Sequence, residues 1–515
     1  MSKNIDRQAK RAQRRNKRIQ DAVKQPPFRQ PIYRWSPLEI APEEQIERIH
    51  NASMRILEEI GIRFYDDEAL SLWEAAGAKV NHKEQHVWLD RELIMELVNK
   101  APSSFTMRAR NPERNVIIGG KNACFMPAAG MVYVTNTKTG RQPGSEETYI
   151  ELSKLFHMSN VIHFGVIQAV AMHDVPVTEK HLKMRTHGYQ LSDKIIWGVS
   201  HGRIISEDCL DAARIIFDGD IETGGPVTGG IINVNSPLIY DDRMLGGLIS
   251  YARAGQPNVI TPFILSGAMS PITIPATIAQ QNAEALAGIA LTQLVRPGTP
   301  VIYGGFTANI DLRSGSPAFG TPEGAWALLI GTQLARYYGV PYRGSGTLNT
   351  ANSPDAQAAY ESMWTLWPAI QAHTNLVIHA AGWLEGGLTV SYEKMIIDME
   401  NLAMMQYFLE DVKWGEDEFL LDMMAEVGPG GHHFATQHTQ ENYRTAFYDG
   451  TLADRSNFET WYEGGQQDIV QRAAERWQML LNTYEAPYLD EGKNQALVEF
   501  VERRSRELQG VSLYD

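Results

Sequence analysis

Hydrophobic positions from about residue 120 onward follow two alternating spacings. Short apolar runs rich in β-branched residues recur at residues 123–128, 161–170, 195–200, 227–235, 259–267, 300–307, 341–349 and 376–383. The intervening segments carry apolar residues at helical spacing, as in residues 146–159, 206–219, 277–295 and 321–339. Eight strand-plus-helix units predict an α/β protein with a (β/α)8 TIM barrel fold. An open doubly wound sheet is the alternative, although the chain lacks a GxGxxG after its first strand and a P-loop lysine motif.

Other patterns flank these units. Residues 37–102 predict three helices, and the alternating stretch at residues 78–89 predicts a short hairpin. Residues 1–27 are rich in Lys and Arg and poor in apolar residues, which is typical of a disordered tail or of a basic arm for an acidic partner protein. Additional helices follow Glu393. We therefore divide the chain into a disordered basic tail (1–35), a barrel with an N-terminal helical and hairpin cap (36–410) and a C-terminal helical extension packed on the barrel (411–515).

Composition narrows the class of protein. The 515 residues are 43% hydrophobic, and the net charge of −14 argues against a nucleic-acid binder. Two distant cysteines, Cys124 and Cys209, exclude a disulfide framework and fit a reducing compartment. The sequence has no apolar run long enough for a transmembrane helix and no secretory signal. We expect a cytoplasmic homo-oligomer that does not bind membranes.

One strand-to-helix turn stands out at residues 344–364. A Gly344-Ser345-Gly346 segment ends a predicted strand, and Ser353, Pro354 and Asp355 fit the N-cap, N1 and N2 positions of the next helix. The glycines would let a ligand approach the backbone, and a helix N-terminus offers unpaired amides. On its own, the turn indicates no more than a capping serine.

Side chains at the carboxyl ends of the predicted strands are largely uncharged, and active sites of barrels lie at that end. A phosphate site usually shows more basic residues. A glycosidase needs two carboxylates, and a pairing of Glu385 with Asp355 or Glu361 keeps that class open. His432, His433 and His438 lack a standard metal-ligand spacing, so we predict no metal site. Aromatic residues are frequent near the loops and would serve either as core or as a cage for a quaternary ammonium.

Several segments together carry a family resemblance. They are residues 49–64, 262–273, 302–323, 355–361, 382–400, 428–439 and 461–473, including DAQAAYE, GWLEGGLTVSYEKMIIDME and GPGGHHFATQHT. On these segments, from about residue 40 to the end, the chain resembles the trimethylamine methyltransferase (MttB-like) family of corrinoid-dependent methyltransferases. This resemblance implies the barrel fold and a protein partner that carries the corrinoid.

The position of pyrrolysine in the family archetype bears on the substrate. That residue precedes an Asp-x-Gln-Ala-x-Tyr-Glu run, which here spans residues 355–361, and the matching position is Ser353. The chain therefore resembles members without pyrrolysine, such as glycine betaine:corrinoid methyltransferases, which act on quaternary amines. A quaternary nitrogen leaves as a neutral tertiary amine and needs no proton. Such an enzyme needs to hold the cation, orient one methyl group and exclude water.

The resemblance implies methyl transfer from a quaternary amine, above all glycine betaine, to the Co(I) of a separate corrinoid protein, with no tightly bound cofactor. We expect three catalytic residues, Glu385, Gln357 and His433. We expect substrate contacts from Tyr133, Phe306, Asn309, Asn349, Trp383, Tyr392, His201, Arg203 and Asn235. Among these, Arg203 or His201 would hold a substrate carboxylate. The alternatives are the same chemistry on trimethylamine, proline betaine or carnitine, or a barrel that binds a betaine or a corrinoid protein without turnover.

Overall fold

The computed structural model describes residues 23–166, 168–410 and 412–513, so the predicted tail lies mostly outside it. The strands within these ranges are β1 (Ile62–Phe64), β2 (Lys79–Asn81), β3 (His86–Trp88), β4 (Ser104–Met107), β5 (Val116–Gly119), β6 (Cys124–Phe125), β7 (Tyr133–Asn136), β8 (Gly140–Pro143), β9 (Gly230–Val234), β10 (Ile239–Tyr240), β11 (Asn258–Ser266), β12 (Val301–Gly304), β13 (Phe306–Ile310), β14 (Pro317–Ala318), β15 (Tyr342–Ser345), β16 (Leu376–Ile378), β17 (Trp383–Leu384) and β18 (Thr389–Ser391).

Helices alternate with the parallel strands. They are α1 (Glu43–Arg55), α2 (Asp67–Ala75), α3 (Arg91–Val98), α4 (Glu146–Met158), α5 (Val177–Leu191), α6 (Arg203–Ile216), α7 (Asp242–Arg253), α8 (Ile274–Val295), α9 (Pro322–Tyr337), α10 (Ala356–Gln371), α11 (Tyr392–Phe408), α12 (Leu421–Val427), α13 (Gln437–Asn442), α14 (Phe458–Glu463), α15 (Ile469–Asn482) and α16 (Glu491–Glu507). A π-helical turn (Ile56–Ile60) continues α1, and 3-10 turns occur at Pro112–Arg114, Glu385–Gly387 and Glu416–Phe419. The chain is therefore a mixed α/β protein, as the spacing predicts.

The principal sheet is parallel, in the order β9-β11-β12-β15-β16-β6. One helix connects each consecutive pair of its strands from β9 to β16. Strand β13 pairs with the far half of β11, so one continuous run of chain contacts β11 twice. Because the strands are parallel, their carboxyl ends lie at one edge of the sheet and their loops meet there.

Two of the eight predicted strands do not form regular ladders. The segments around residues 164 and 195 pair through a single bridge, Phe164 with Ile195. Backbone hydrogen bonds nevertheless join them to each other and to the outer strands: His163 N to Phe125 O, 3.0 Å; Gly165 N to Ile195 O, 2.9 Å; Gly198 N to Gly229 O, 2.9 Å. They therefore lie between β6 and the residues that lead into β9.

Each face of the principal sheet is buried, which explains the continuous apolar runs. One face contributes to a separate core cluster made of Cys124, Met126, Phe164, Ile195, Trp197, Val259, Ile302, Leu376 and Ile378, joined by Met107, Val116 and Ile118 from the β4–β5 region. The other face packs against the helices.

The N-terminal region matches its predicted elements. Helices α1 to α3 form near the predicted positions, and β2 pairs antiparallel with β3 as the predicted hairpin. This region shares a core with α8. Residues 23–35 depart from the predicted tail, because Val23 and Tyr33 are buried and the Tyr33 hydroxyl donates to Thr374 O at 2.8 Å.

The C-terminal region divides into two parts. Helices α15 and α16 pack on α11, α4, α5 and α6, because their apolar faces enter the main core. In residues 412–466, by contrast, Leu452 is the one buried side chain. We call residues 412–466 the arm. No helix within the described ranges is both long and apolar enough to cross a bilayer.

Candidate functional site

A group of aromatic rings lies just beyond the ends of β12 and β16 and beside β11. The Trp383 ring centroid is 6.0 Å from that of Phe306, 5.4 Å from that of Phe319 and 4.7 Å from that of His379. Phe263 adds a ring 5.1 Å from Phe306. We call these five residues the aromatic cluster. Phe263 and Phe306 are partly exposed, so the cluster can meet a ligand.

The loop after β15 holds the Trp383 ring in place. The Trp383 indole donates to Asn349 O at 3.1 Å, and the Asn349 carboxamide donates to Trp383 O at 2.6 Å. The Asn349 Oδ1 atom is buried without a hydrogen-bond partner in the described structure. Buried acceptors of this kind are rare in folded proteins. Of the predicted site residues, Phe306, Trp383 and Asn349 are thus brought together.

Glu385 and Tyr133, two of the predicted site residues, both contact Arg141. Glu385 Oε2 lies 2.9 Å from Arg141 Nε. The Arg141 guanidinium carbon in turn lies 3.6 Å from the centroid of the Tyr133 ring. One charged pair therefore covers the tyrosine face that a cage would use, and Arg141 balances the charge of Glu385.

The turn before α10 differs in detail from the prediction. Asp355, not Ser353, is the N-cap, because its carboxylate accepts from Ala358 N at 3.0 Å. Ser353 is exposed and donates to Asp355 Oδ2 at 3.2 Å. Gln357 is also exposed and donates to Glu361 Oε1 at 2.9 Å. Glu361 accepts from Thr350 N at 2.7 Å, so it organises the loop.

The predicted carboxylate anchors, Arg203 and His201, lie at the start of α6. Arg203 is already paired, with Nη2 2.7 Å from Asp66 Oδ2 and 3.0 Å from Glu68 Oε2. Burial lowers the pKa of His201, which favours the neutral imidazole. Because Asp66 and Glu68 both pair with Arg203, its positive charge is already balanced.

Four other predicted residues are engaged outside the aromatic cluster. Asn309 accepts from Thr321 Oγ1 at 2.8 Å, and exposed Asn235 accepts from Asp241 N at 3.3 Å. Tyr392 is buried at the start of α11, where its hydroxyl donates to Glu151 Oε2 at 2.6 Å. His433 is exposed in the arm. Among the residues that the structure describes, no three His, Cys, Asp or Glu side chains come together as a metal site.

Arg343 adjoins the aromatic cluster, although it is not among the site residues predicted from the sequence. Its Nη1 donates to Gly305 O at 3.0 Å, and its guanidinium carbon lies 4.9 Å from the Phe306 ring centroid. Burial lowers the pKa of Arg343 to about 10, and its positive charge adds to the burial that depresses the pKa of His379. An arginine inside a segment predicted as a buried strand is the signal that would have found it.

A mixed α/β chain with aromatic rings and neutral amides at its strand ends has the make-up of an enzyme for a small organic cation. Comparison with known proteins identifies the family. The sequence profile of the trimethylamine methyltransferase (MTTB) family matches residues 7–509. The chain therefore belongs to the trimethylamine methyltransferase family, and its relatives are methyltransferases.

Individual relatives differ in their named substrates. A glycine betaine methyltransferase of Desulfitobacterium hafniense (strain Y51) is 40% identical over 470 residues, covering 91% of this chain and 98% of the relative. Trimethylamine methyltransferase MttB of another D. hafniense strain is 28% identical, over 90% of this chain and 94% of the relative. MttB1 of Methanosarcina mazei is 29% identical, over 84% and 88%. The family assignment thus rests on nearly full-length matches.

Proposed function

We propose that this chain transfers a methyl group from glycine betaine to the Co(I) of a corrinoid carried by a separate protein. The observation that carries the proposal is the aromatic cluster, because a quaternary ammonium has no N–H group and is recognised through ring faces. The 40% identity to a glycine betaine methyltransferase supports the same substrate. Ser353, at the position that matches pyrrolysine, is exposed and lies outside the aromatic cluster. A substrate that needs no activating residue is consistent with this.

The reaction breaks one C–N bond and forms one Co–C bond. The nitrogen keeps the bonding electron pair, so dimethylglycine leaves with a neutral tertiary amine and an ionised carboxylate, while the reduced corrinoid supplies the electron pair for the new bond. No proton moves. The protein's own task is to orient one N-methyl group outward and to keep water from the cation. Phe306 and Trp383 perform this in the proposal, with Asn349 holding the indole.

The same proposal places the site in a closed (β/α)8 barrel. The eight barrel strands would be the six strands of the principal sheet, together with the two bridging segments at residues 163–165 and 195–198. The backbone hydrogen bonds between β6, the two segments and Gly229 support closure. A core cluster drawn from six of the eight barrel strands, with Ile231 of β9 packed against it, supports an enclosed interior. Loops at the carboxyl ends would then receive the corrinoid protein.

The test is a methyl-transfer assay with purified protein, Co(I) cobalamin and a panel of methylated amines. We expect the Co(I) absorbance to fall with glycine betaine and dimethylglycine to accumulate in equal amount. A faster reaction with trimethylamine than with any quaternary amine would contradict the proposed substrate. Binding of betaine without any loss of Co(I) would contradict turnover.

We also propose a cytoplasmic homo-oligomer, in which the arm packs on a second copy of the chain. The arm helices α12, α13 and α14 are too short to be stable alone. The arm exposes 82% of Phe447 and 79% of Phe434. The outer face of α10 exposes Tyr360, Trp364 and Trp367 at helical spacing, a surface on the same chain that such an arm fits.

Light scattering on the full chain tests the assembly. We expect a dimer or larger species, and we expect Phe447→Asp and Trp364→Asp each to dissociate it because both place a charge in an apolar contact. A monomeric wild-type chain at micromolar concentration would contradict the proposal.

A further inference from the structure

Arg343 is a buried cation without an anionic partner. Its side chain is 2% exposed, and no ion pair among the described residues includes it. One hydrogen bond goes to a backbone carbonyl, and Nε has no partner within the described part of the chain. A buried charge without a counter-ion strongly destabilises the folded state. Retaining one beside a candidate site therefore indicates a ligand that supplies the missing charge.

Two more buried polar atoms have no hydrogen-bond partner among the described residues, one on the strand of Arg343 and one two strands away. These are Thr261 Oγ1 on β11 and Ser345 Oγ on β15. The register that pairs Ile260 with Tyr303 continues to Thr261 beside Gly304, and Gly304 pairs with Arg343. Thr261 and Arg343 therefore share one face of the sheet. Ser345 follows Arg343 by two residues and shares that face.

Because Gly304 has no side chain, the Thr261 hydroxyl packs directly against the backbone of β12. A Cβ atom at Gly304 would lie 2.1 Å from Thr261 Oγ1, so no larger residue fits without displacing the threonine. On the other side of Thr261, β9 contributes Asn233 in register, and Asn233 is exposed. The face that carries Arg343 therefore reaches solvent at the carboxyl ends.

The aromatic cluster begins directly beside this group. Phe306 contacts the Arg343 guanidinium and also the rings of Phe263 and Trp383. Hydrogen-bond donors for an anion and ring faces for a cation are thus adjacent. That pairing matches a zwitterion in which a carboxylate and a quaternary ammonium are one or two carbons apart.

We propose that Arg343, with Thr261 and Ser345, binds the carboxylate of the substrate and thereby selects N-methylated amino acids over carboxylate-free quaternary amines. This inference rests on the proposed function for the ammonium end of the substrate. It replaces Arg203 and His201 as the anchor, since Asp66 and Glu68 already occupy Arg203. The Arg343 guanidinium offers a planar set of donors suited to a carboxylate.

The experiment compares Arg343→Met and Arg343→Lys with wild type, using glycine betaine, choline and tetramethylammonium as methyl donors. For Arg343→Met we expect kcat/KM with glycine betaine to fall by about 100-fold or more, because a buried charge-assisted contact is lost. The rates with choline and tetramethylammonium should change less than about threefold. Arg343→Lys should lie between, because lysine keeps the charge and loses the fork.

Arg185→Met is the matched control. Arg185 is also buried, donates to a backbone carbonyl of Trp197 and has an Nε without a partner, but it lies on α5. We expect its kcat/KM ratio of glycine betaine to choline to equal that of wild type. Equal losses for all three donors in Arg343→Met would mark a structural role and overturn the inference.

Calorimetry separates this inference from the proposed function and covers a variant that fails to fold. Wild-type protein should bind glycine betaine at least tenfold more tightly than choline. Equal affinities for the two, or no binding of either, would overturn the role of Arg343. Preferential binding of glycine betaine with no methyl transfer to Co(I) would refute the proposed function and leave the carboxylate site standing.

Discussion

At the scale of single residues, one buried carboxyl group is surrounded by hydrogen-bond donors. Glu284 on α8 accepts from Leu238 N at 2.8 Å, Ser236 Oγ at 2.5 Å and Gln280 Nε2 at 3.0 Å. It fastens the loop before β10 to α8. Burial outweighs these bonds and raises the pKa of Glu284 to about 7.

The raised pKa of Glu284 predicts a pH-dependent stability. Between its ordinary value of 4.5 and about 7, the folded chain keeps a proton that the unfolded chain has lost. The free energy of unfolding should therefore decrease as pH rises through that interval, by up to about 3 kcal/mol from this group. Glu284→Gln removes the titration, so urea unfolding of the variant from pH 4.5 to 7 should show a flatter profile.

Exposed Glu502 provides the control for that series. We expect the pH profile of Glu502→Gln to follow that of wild type. A Glu284→Gln profile with the same slope as wild type would show that the carboxyl does not bind its proton more tightly in the folded chain.

At the scale of elements, the sequence predicted the start of a helix correctly where only one residue could serve as the N-cap. Thr321 and Pro322 start α9 as predicted, since a proline at N1 has no backbone N–H to satisfy. At α10 the prediction was wrong, because Ser353 and Asp355 are both good caps two residues apart. Asp355 prevails because its carboxylate reaches Ala358 N and also accepts from Ser353.

The two caps of α10 are separable by mutation. Asp355→Ala should lower the free energy of unfolding by about 1 kcal/mol, because it removes the N-cap. Ser353→Ala should change it by less than about half of that value, since its hydroxyl contacts only an exposed carboxylate. Urea unfolding of both variants measures the difference. Equal effects would restore Ser353 as a second cap.

At the scale of the whole molecule, large apolar side chains are exposed on the loops at the carboxyl ends. Ile272 follows β11 and is 65% exposed, and Leu312 follows β13 and is 69% exposed. Exposed groups of this kind at the edge of a site mark a surface for a protein partner. In the proposed function, that partner is the corrinoid protein.

Leu312→Asp should weaken methyl transfer to the corrinoid protein by about tenfold or more, because a charge enters an apolar contact. Transfer to free cobalamin should remain within about twofold of wild type. Ile117→Asp is the control. Ile117 is also exposed, but it lies on β5, which precedes β6 in the chain and is not part of the principal sheet. An equal loss with both acceptors would place Leu312 within the substrate site instead.

The sequence by itself determined the class of fold, the helices, the hairpin β2–β3 and the family, because each depends on local spacing or on short segments that lie along the chain. It also selected Phe306, Trp383 and Asn349, which follow strand ends. Only the tertiary structure decided which charges balance each other. Arg141 meets Glu385, and Asp66 meets Arg203, across long sequence separations, whereas Arg343 is left without a partner beside the rings. Such pairings depend on strand register and loop packing, and no local pattern encodes them.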